Sequence, residues 1–537
     1  MIGRRMIPVK IHWRTSIWTL IVLMAFGFLL LAGGKGMAQQ PVPPDSLFKG
    51  FSVDELVKLR RLLAKQREAL LREQERSREK GLEISKDFIS KTKEESANQD
   101  KILIRIAEYY VEEAQRQLDE AHEAYEKAYD EYEKLYQAYQ AGKLKKEPEP
   151  PREPKPNYEK AIAIYDILIK NFPESDLVDD AYYNKAYLLG EMGEDEASRQ
   201  TWQALIDKFP ESEFAAEAYM KLAESYFYPQ PEDSKEVIKQ KLHKAIQLYK
   251  NVLRYKDTPR YDEALYKLGW SYYRLAADEP ERYTDAIVYF LAVVKDVERA
   301  KAAGLEKNRE VVRADVEPEA LEYIAASFVD PNYQKSGVNN ARDFVLRLGK
   351  PDYGQKILEH MGDRYAKITM WDNAVAAYQT LLELYPDYAY APSIQKKIAD
   401  AYLAAAQPEK AFQERLKLFR TYNPKSDWYA SMEQRDLPDR IDVLDNAYRL
   451  SEEALRITMY SILSQAKARE ESEDTSGVKD LYAQVVDLAR QYIDNFPTDD
   501  HAYEVNWTLA LVLDTKLGRF REAFEEYLRV SNDYLET

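Results

Sequence analysis

The chain has 537 residues, 32% of them charged, with a formal net charge of −16 and no cysteine. Without cysteine there are no disulfides, thiolate metal sites, cysteine nucleophiles or thiol lipidation, and the acidic balance repels phosphate, so nucleic acid is not an expected partner. Only 18 glycines, with 41 tyrosines far ahead of 17 phenylalanines, favour a helix-rich array over a sheet-based core.

Residues 1 to 15 are basic, 16 to 32 (SIWTLIVLMAFGFLLLA) are apolar, and Gly36 and Ala38 follow as small residues. This layout predicts a secretory leader, 1–38, cleaved after Ala38, so that the mature chain starts at Gln39. The alternative is an uncleaved anchor, although the apolar run is shorter than the roughly 20 residues that comfortably span a bilayer. Leu31-Ala32-Gly33-Gly34 resembles a bacterial lipobox with glycine where the lipidated cysteine would stand.

Residues 39–99 form a second segment. Ser52 and Glu55 suit a capping box, Phe51 and Leu56 a hydrophobic staple, and Leu56, Leu59, Leu63 and Leu70 an apolar helix face. A third segment, 100–156, contains AYEKAYDEYEKLYQAY, which places Tyr125, Tyr129, Tyr132, Tyr136 and Tyr139 at steps of four and three. These steps return to one helix face, and the pattern continues backwards through Leu118, Ala114, Val111, Ala107 and Leu103, which predicts a single helix of about forty residues. The proline-rich stretch 142–156 then brings the chain back. The stripe is either covered by residues 52 to 92 in an intramolecular hairpin or is a docking surface for another protein.

From 157 to 537 the chain repeats. LIKNFPES at 168, LIDKFPES at 205, LLELYPDY at 381 and YIDNFPTD at 492 each close an apolar helix with an aromatic residue and a proline, and the first two lie 37 residues apart. Ala374 stands twelve residues before Pro386, with Tyr378 four further on and Gly362 and Tyr365 upstream. The same register fits Leu268, Gly269, Tyr272, Ala286 and Phe290, then Ala399, Tyr402 and Ala411, then Trp507, Gly518, Ala523 and Tyr527. Small residues let two antiparallel helices approach, large ones fill the space beside them, and proline ends the second helix.

This spacing resembles the tetratricopeptide repeat. The resemblance implies an all-α superhelical solenoid of antiparallel helix pairs, here with an extended N-terminal helical hairpin. The paired FPES endings behind a leader further resemble secreted or periplasmic bacterial repeat proteins of the outer-membrane assembly and Tol-associated type.

Catalytic constellations are not found. The five histidines are scattered, HEAYE at 122 lacks the second histidine of a zinc-protease helix, and GGKG at 33 lacks the P-loop spacing and its Ser/Thr. Acidic pairs on helices this charged read as solvated faces. Asn506-Trp507-Thr508 spells a glycosylation sequon, but the repeat register puts Trp507 in the core. No enzyme activity, metal or cofactor is expected.

The surface lined by the first helices of successive units is the expected binding groove. The register points Tyr183, Tyr187, Phe227, Tyr228, Tyr266, Trp270 and Tyr273 into it, followed by the charged Glu322, Glu359, Asp363 and Lys367; the competing reading packs some of these rings between neighbouring repeats. Aromatic rings in such a groove suit an extended peptide or, as the alternative, the faces of a glycan. The expected function is a protein-binding scaffold of the bacterial cell envelope, with one or more envelope proteins as partners. The alternative is a carbohydrate-binding or polysaccharide-export module. The last repeat shows no polar capping helix, so the array's end is expected to meet a partner, a second copy or further chain.

Overall fold

The computed structural model describes residues 53–91, 98–256, 258, 260–304, 316–333, 336–472 and 476–534, and the expected leader with its cleavage site lies outside them. The chain divides into two units, one reaching Ala124 and one beginning at Tyr125. Among the described residues the regular structure is helical, with no strand. No described helix is long and apolar enough to cross a membrane.

The first two helices among the described residues are long, α1 (Val53–Lys91) and α2 (Gln99–Gln140). Within the first unit they run antiparallel: Arg78 lies 3.2 Å from Glu112, and the Lys86 ammonium sits 5.0 Å from the centre of the Tyr110 ring. Leu103, Ile106, Ala107 and Ala114 are buried, as their spacing requires. Leu70 departs from the expected apolar face, since it is 63% exposed; Leu63, seven residues away, is half-buried. A seven-residue step on a straight 3.6-residue helix drifts by about 20°, so a sparse leucine row does not stay on one line.

The second unit continues with α3 (Glu159–Asn171), α4 (Val178–Glu191), α5 (Asp195–Lys208), α6 (Ala215–Phe227), α7 (Lys235–Val252), α8 (Arg260–Leu275) and α9 (Arg282–Ala302). Beyond these come α10 (Glu317–Val329), α11 (Gly337–Arg347), α12 (Tyr353–Lys367), α13 (Trp371–Leu384), α14 (Ala391–Ala404) and α15 (Pro408–Tyr422). The last five are α16 (Asp427–Gln434), α17 (Arg440–Glu471), α18 (Val478–Asn495), α19 (Ala502–Thr515) and α20 (Phe520–Asp533). Helices pair as α4 with α5, α6 with α7, α8 with α9, α12 with α13, α14 with α15, α17 with α18 and α19 with α20, and each pair packs on the next. The α10–α11 pair is the exception: α10 packs more on its neighbours α9 and α12 than on the short α11.

One local device recurs. Phe172, Phe209, Tyr385 and Phe496 follow the last residues of α3, α5, α13 and α18, with φ near −130° in each case. Each donates its N–H to the carbonyl four residues back, at 2.8–2.9 Å. The proline that follows forbids α geometry at this residue and has no N–H of its own, so every helix stops at the same register. The turn inside a pair uses a left-handed residue, glycine at Gly193 (φ 79°) but Thr369 (φ 61°) and Ala406 (φ 56°) elsewhere. A β-branched residue is strained in that region, so the repeat geometry prevails over local preference there.

Small residues at the helix crossings behave as the spacing requires. A Cβ on Gly269 would lie 2.7 Å from the Phe290 ring, and one on Gly362 would lie 2.5 Å from Tyr378 Cδ1. Ala286, Ala374, Ala399, Ala411 and Ala523 are buried, with Phe290 and Tyr378 beside them. The solenoid is thus held by close backbone approach on one side of each crossing and a large ring on the other.

Candidate binding face of the first helices

Tyr183 and Tyr187 stand on α4, Phe227 ends α6 with Tyr228 just beyond, Tyr266, Trp270 and Tyr273 stand on α8, and Glu359, Asp363 and Lys367 stand on α12. Of the rings, Tyr228 is 55% and Tyr187 40% exposed. Phe227 is buried and does not face a partner: Lys267 lies 5.0 Å and Arg274 4.9 Å from its ring centre, and Arg274 donates to its carbonyl at 2.6 Å. Tyr228 has left the helix with extended backbone (φ −90°, ψ 120°), and the exposed position is its own.

The remaining rings are half-buried and mostly join one repeat to the next. Tyr183 packs 4.7 Å from Phe214 and edge-on to Trp202, and its hydroxyl lies toward Glu217. Glu217 in turn meets Arg260 at 2.9 Å, and Arg260 meets Glu263 at 2.8 Å. Trp270 lies 4.2 Å from Tyr323 of α10, which also packs 5.0 Å from Tyr273 and 5.7 Å from Phe290. The Tyr266 hydroxyl lies toward Glu319 of α10. Burial, and after it these acidic neighbours, push the Tyr183 and Tyr266 hydroxyls well above the ordinary phenol range, so both remain protonated donors.

The charged half is also linked across repeats. Lys397 of α14 reaches Glu359 at 3.2 Å and Asp363 at 2.7 Å, while Tyr388 donates to Glu359 and Tyr378 to Asp363. Glu322 and Lys367 are exposed. Burial alone would raise the Glu359 carboxyl, but Lys397, Lys356 and the Tyr388 hydroxyl hold it below the usual glutamate range. A carboxyl held low in the folded state contributes stability that is complete above its unfolded pKa, about 4.3, and is lost as pH falls through the lower folded value. Acidification from about pH 5 to pH 3 is therefore expected to lower the melting temperature more in the native protein than in Glu359→Gln, the two converging at the acid end; a pH series of thermal melts checks this.

The cations Lys221, Arg260, Lys267, Arg274 and Lys397 were not picked out by sequence reasoning. Their signal was present, because Arg260, Glu263, Lys267 and Arg274 recur at three-, four- and seven-residue steps along α8. Beside the exposed Tyr187 lies a cavity of about 220 Å³ lined by Gly190, Arg199, Trp202, Lys221 and Ser225. Tyr228 accepts a bond from Lys267 at 3.0 Å, which fixes its ring while leaving a face open.

Far along the array, Glu452, Asp499 and His501 bring ligand-type atoms within 4.8 Å of one another. Arg456 already bonds Glu452 at 2.6 Å, the Tyr492 hydroxyl lies 2.7 Å from Glu452 and 2.9 Å from Asp499, and the His501 N–H donates to Asp499. This is a hydrogen-bonded polar joint between α17, α18 and the start of α19.

The sequon is corrected. Asn506 is fully buried and Trp507 is 46% exposed, the reverse of the expected placement. The link between α19 and α20 spans 516–519, one residue longer than the 368–370 link between α12 and α13, so counting back from Ala523 shifts the register by one.

A sequence model of the tetratricopeptide repeat matches residues 152–175, 180–212, 263–302 and 358–388. Tetratricopeptide repeats are present at these positions. They coincide with α3, the α4–α5 and α8–α9 pairs and most of α12–α13, where the small and aromatic positions are filled; a closing proline follows α3, α5 and α13 but not α9. No curated protein matches the chain in sequence. Among solved structures, a circular tandem repeat protein with novel repeat topology aligns at 14% identity over 81% of this chain and 99% of its own, with a TM-score of 0.24. The human IFIT1 dimer with PPP-AAAA aligns at 15% identity over 84% of this chain and 93% of its own, with a TM-score of 0.19.

Proposed function

We propose that the chain is a non-enzymatic protein-binding scaffold of the bacterial cell envelope, exported by its N-terminal apolar segment. A partner's extended segment lies along the first helices of the repeats. The observation that supports this best is the pairing of two open rings, Tyr187 and Tyr228, with a cavity of about 220 Å³ beside the first of them. A cavity of that size takes one side chain, and open rings flank a peptide backbone or stack on a side chain. The envelope assignment rests on the basic and apolar leader layout and on the resemblance of the FPES-ended repeats to periplasmic bacterial proteins.

The test compares the native chain with Tyr187→Ala/Tyr228→Ala as bait in a bacterial envelope extract, with both also applied to a glycan array. The expected result is a protein retained by the native chain and bound about tenfold or more weakly by the variant, as loss of exposed aromatic anchors typically gives. Retention of glycans in place of any protein would replace this reading with the carbohydrate-binding one.

A further inference from the structure

The tyrosine stripe of α2 and the proline-rich stretch after it fit together within the second unit. The helix ends in a reversal at Gly142 (φ 72°), where Gly142 N–H donates to the Tyr139 carbonyl at 2.9 Å and Lys143 N–H to Ala138 at 2.8 Å. This is the double bond pattern of a Schellman cap, and it turns the chain at the helix end. Residues 147–157 then form neither helix nor strand. In this stretch Pro148, Pro151 and Pro154 are half-buried while Glu149, Pro150, Arg152 and Glu153 between them are exposed. A period of three is that of a polyproline II strand with one edge against a surface.

The lengths identify the surface. A polyproline II strand advances about 3.1 Å per residue and a helix about 1.5 Å, so the returning strand passes two helix residues for each of its own. The strand proper starts at Glu147, after bends at Lys143, Lys145 and Lys146, and it starts near the Tyr132 turn of the helix: after burial and Tyr136, the Glu147 carboxylate contributes to raising the Tyr132 hydroxyl above its ordinary value. By the same ratio Pro148 falls beside Tyr129 and Pro151 beside Tyr125. Adjacent rings along the stripe have centres 5.7–6.4 Å apart, and Tyr125, Tyr132, Tyr136 and Tyr139 are half-buried. Flat rings at that spacing form ridges that accept proline rings between them. Proline loses little entropy on being held, so the contact needs few bonds to persist.

We infer that the tyrosine face of α2 is a polyproline-binding surface and that the start of the chain's own proline-rich strand, residues 147–152, is its occupant, strapped onto the helix in cis. This assignment is independent of the groove on the first helices.

The test uses the full chain carrying Pro148→Ser, Pro151→Ser, Pro154→Ser and Pro156→Ser, with hydrogen exchange followed by mass spectrometry. Exchange in 125–140 is expected to rise about tenfold while that of Tyr353–Lys367 stays unchanged, since opening of one local unit does not require global unfolding. A synthetic peptide of residues 142–157, added to the variant, is expected to restore protection, and the same peptide with its prolines changed to serine is not. Unchanged exchange in the variant, or protection that the native peptide does not restore, overturns the inference. A second variant guards against misfolding of the first: Tyr132→Ala/Tyr136→Ala in the native background should free the strand and speed trypsin cleavage after Arg152. Cleavage at the native rate there also overturns it.

Discussion

Gly362→Ala is expected to destabilise the protein, although alanine is the better helix former by about 1 kcal/mol. The added Cβ would stand 2.5 Å from Tyr378 Cδ1 and 2.7 Å from Cζ, distances at which something must move. Tyr378 has nowhere to go, because its ring is 2% exposed and its hydroxyl is tied to Asp363 at 2.6 Å. Overpacking of this kind typically costs about 1–3 kcal/mol, and displacing a hydroxyl from a carboxylate adds about 1.5–3 kcal/mol. The net loss is therefore about 1.5–5 kcal/mol after the helix gain is subtracted, a lower melting temperature that calorimetry reads directly. Gly190→Ala is the control: its Cβ would meet Ser198 Oγ at 3.4 Å, so the change should be neutral or slightly stabilising. Tyr378→Leu in the Gly362→Ala background should recover part of the loss, since the two sites share one space and their effects do not add.

The same residues explain how much was legible beforehand. Gly362, Ala374, Tyr378 and Pro386 each have one physical task that few residue types fulfil, and spacing alone therefore predicted the helix pairs and their stops. Proline before a turn and glycine beneath a ring leave a sequence signal because no other residue fits. The charged connectors left a weaker one. Lys397 reaches back from α14 to Glu359 and Asp363 on α12, some 34 to 38 positions earlier, and nothing in either helix alone announces the contact. Long cations also sit on solvated faces throughout this chain, so those that bridge repeats cannot be told from the others by residue type.

Register set the other limit. Phe227 and Tyr228 are neighbours with opposite fates, one buried beneath Arg274 and Lys267, the other open. The one-residue longer link before α20 exchanged the expected places of Asn506 and Trp507. In the inner repeats Ile287, Val375 and Val486, each one residue after the small position of its second helix, are buried; Phe524, at that position in α20, is 63% exposed. The identical pattern can therefore be core or surface depending on what packs next, which local sequence does not contain.

Trp270→Ala/Tyr273→Ala is expected to loosen the array, because these rings hold α8 against α10. Trp270 and Tyr273 both pack on Tyr323, at 4.2 and 5.0 Å, and Tyr273 also meets Tyr283 at 5.5 Å. Removing a fully buried aromatic costs about 3–5 kcal/mol; these are half-buried, so about 2–3 kcal/mol each is expected, with a joint loss below the sum because they share Tyr323. Urea unfolding should show an earlier transition, and hydrogen exchange should place the early opening in Glu317–Val329 and Arg282–Ala302, the helices that lose their contact. Tyr187→Ala/Tyr228→Ala removes rings that are 40% and 55% exposed and should leave the midpoint nearly unchanged. The contrast separates two uses of one aromatic row. If the Trp270 pair changes neither midpoint nor exchange and weakens only partner binding, its rings belong to the binding face and the joint between α8 and α10 rests on other contacts, Tyr266 beside Glu319 among them.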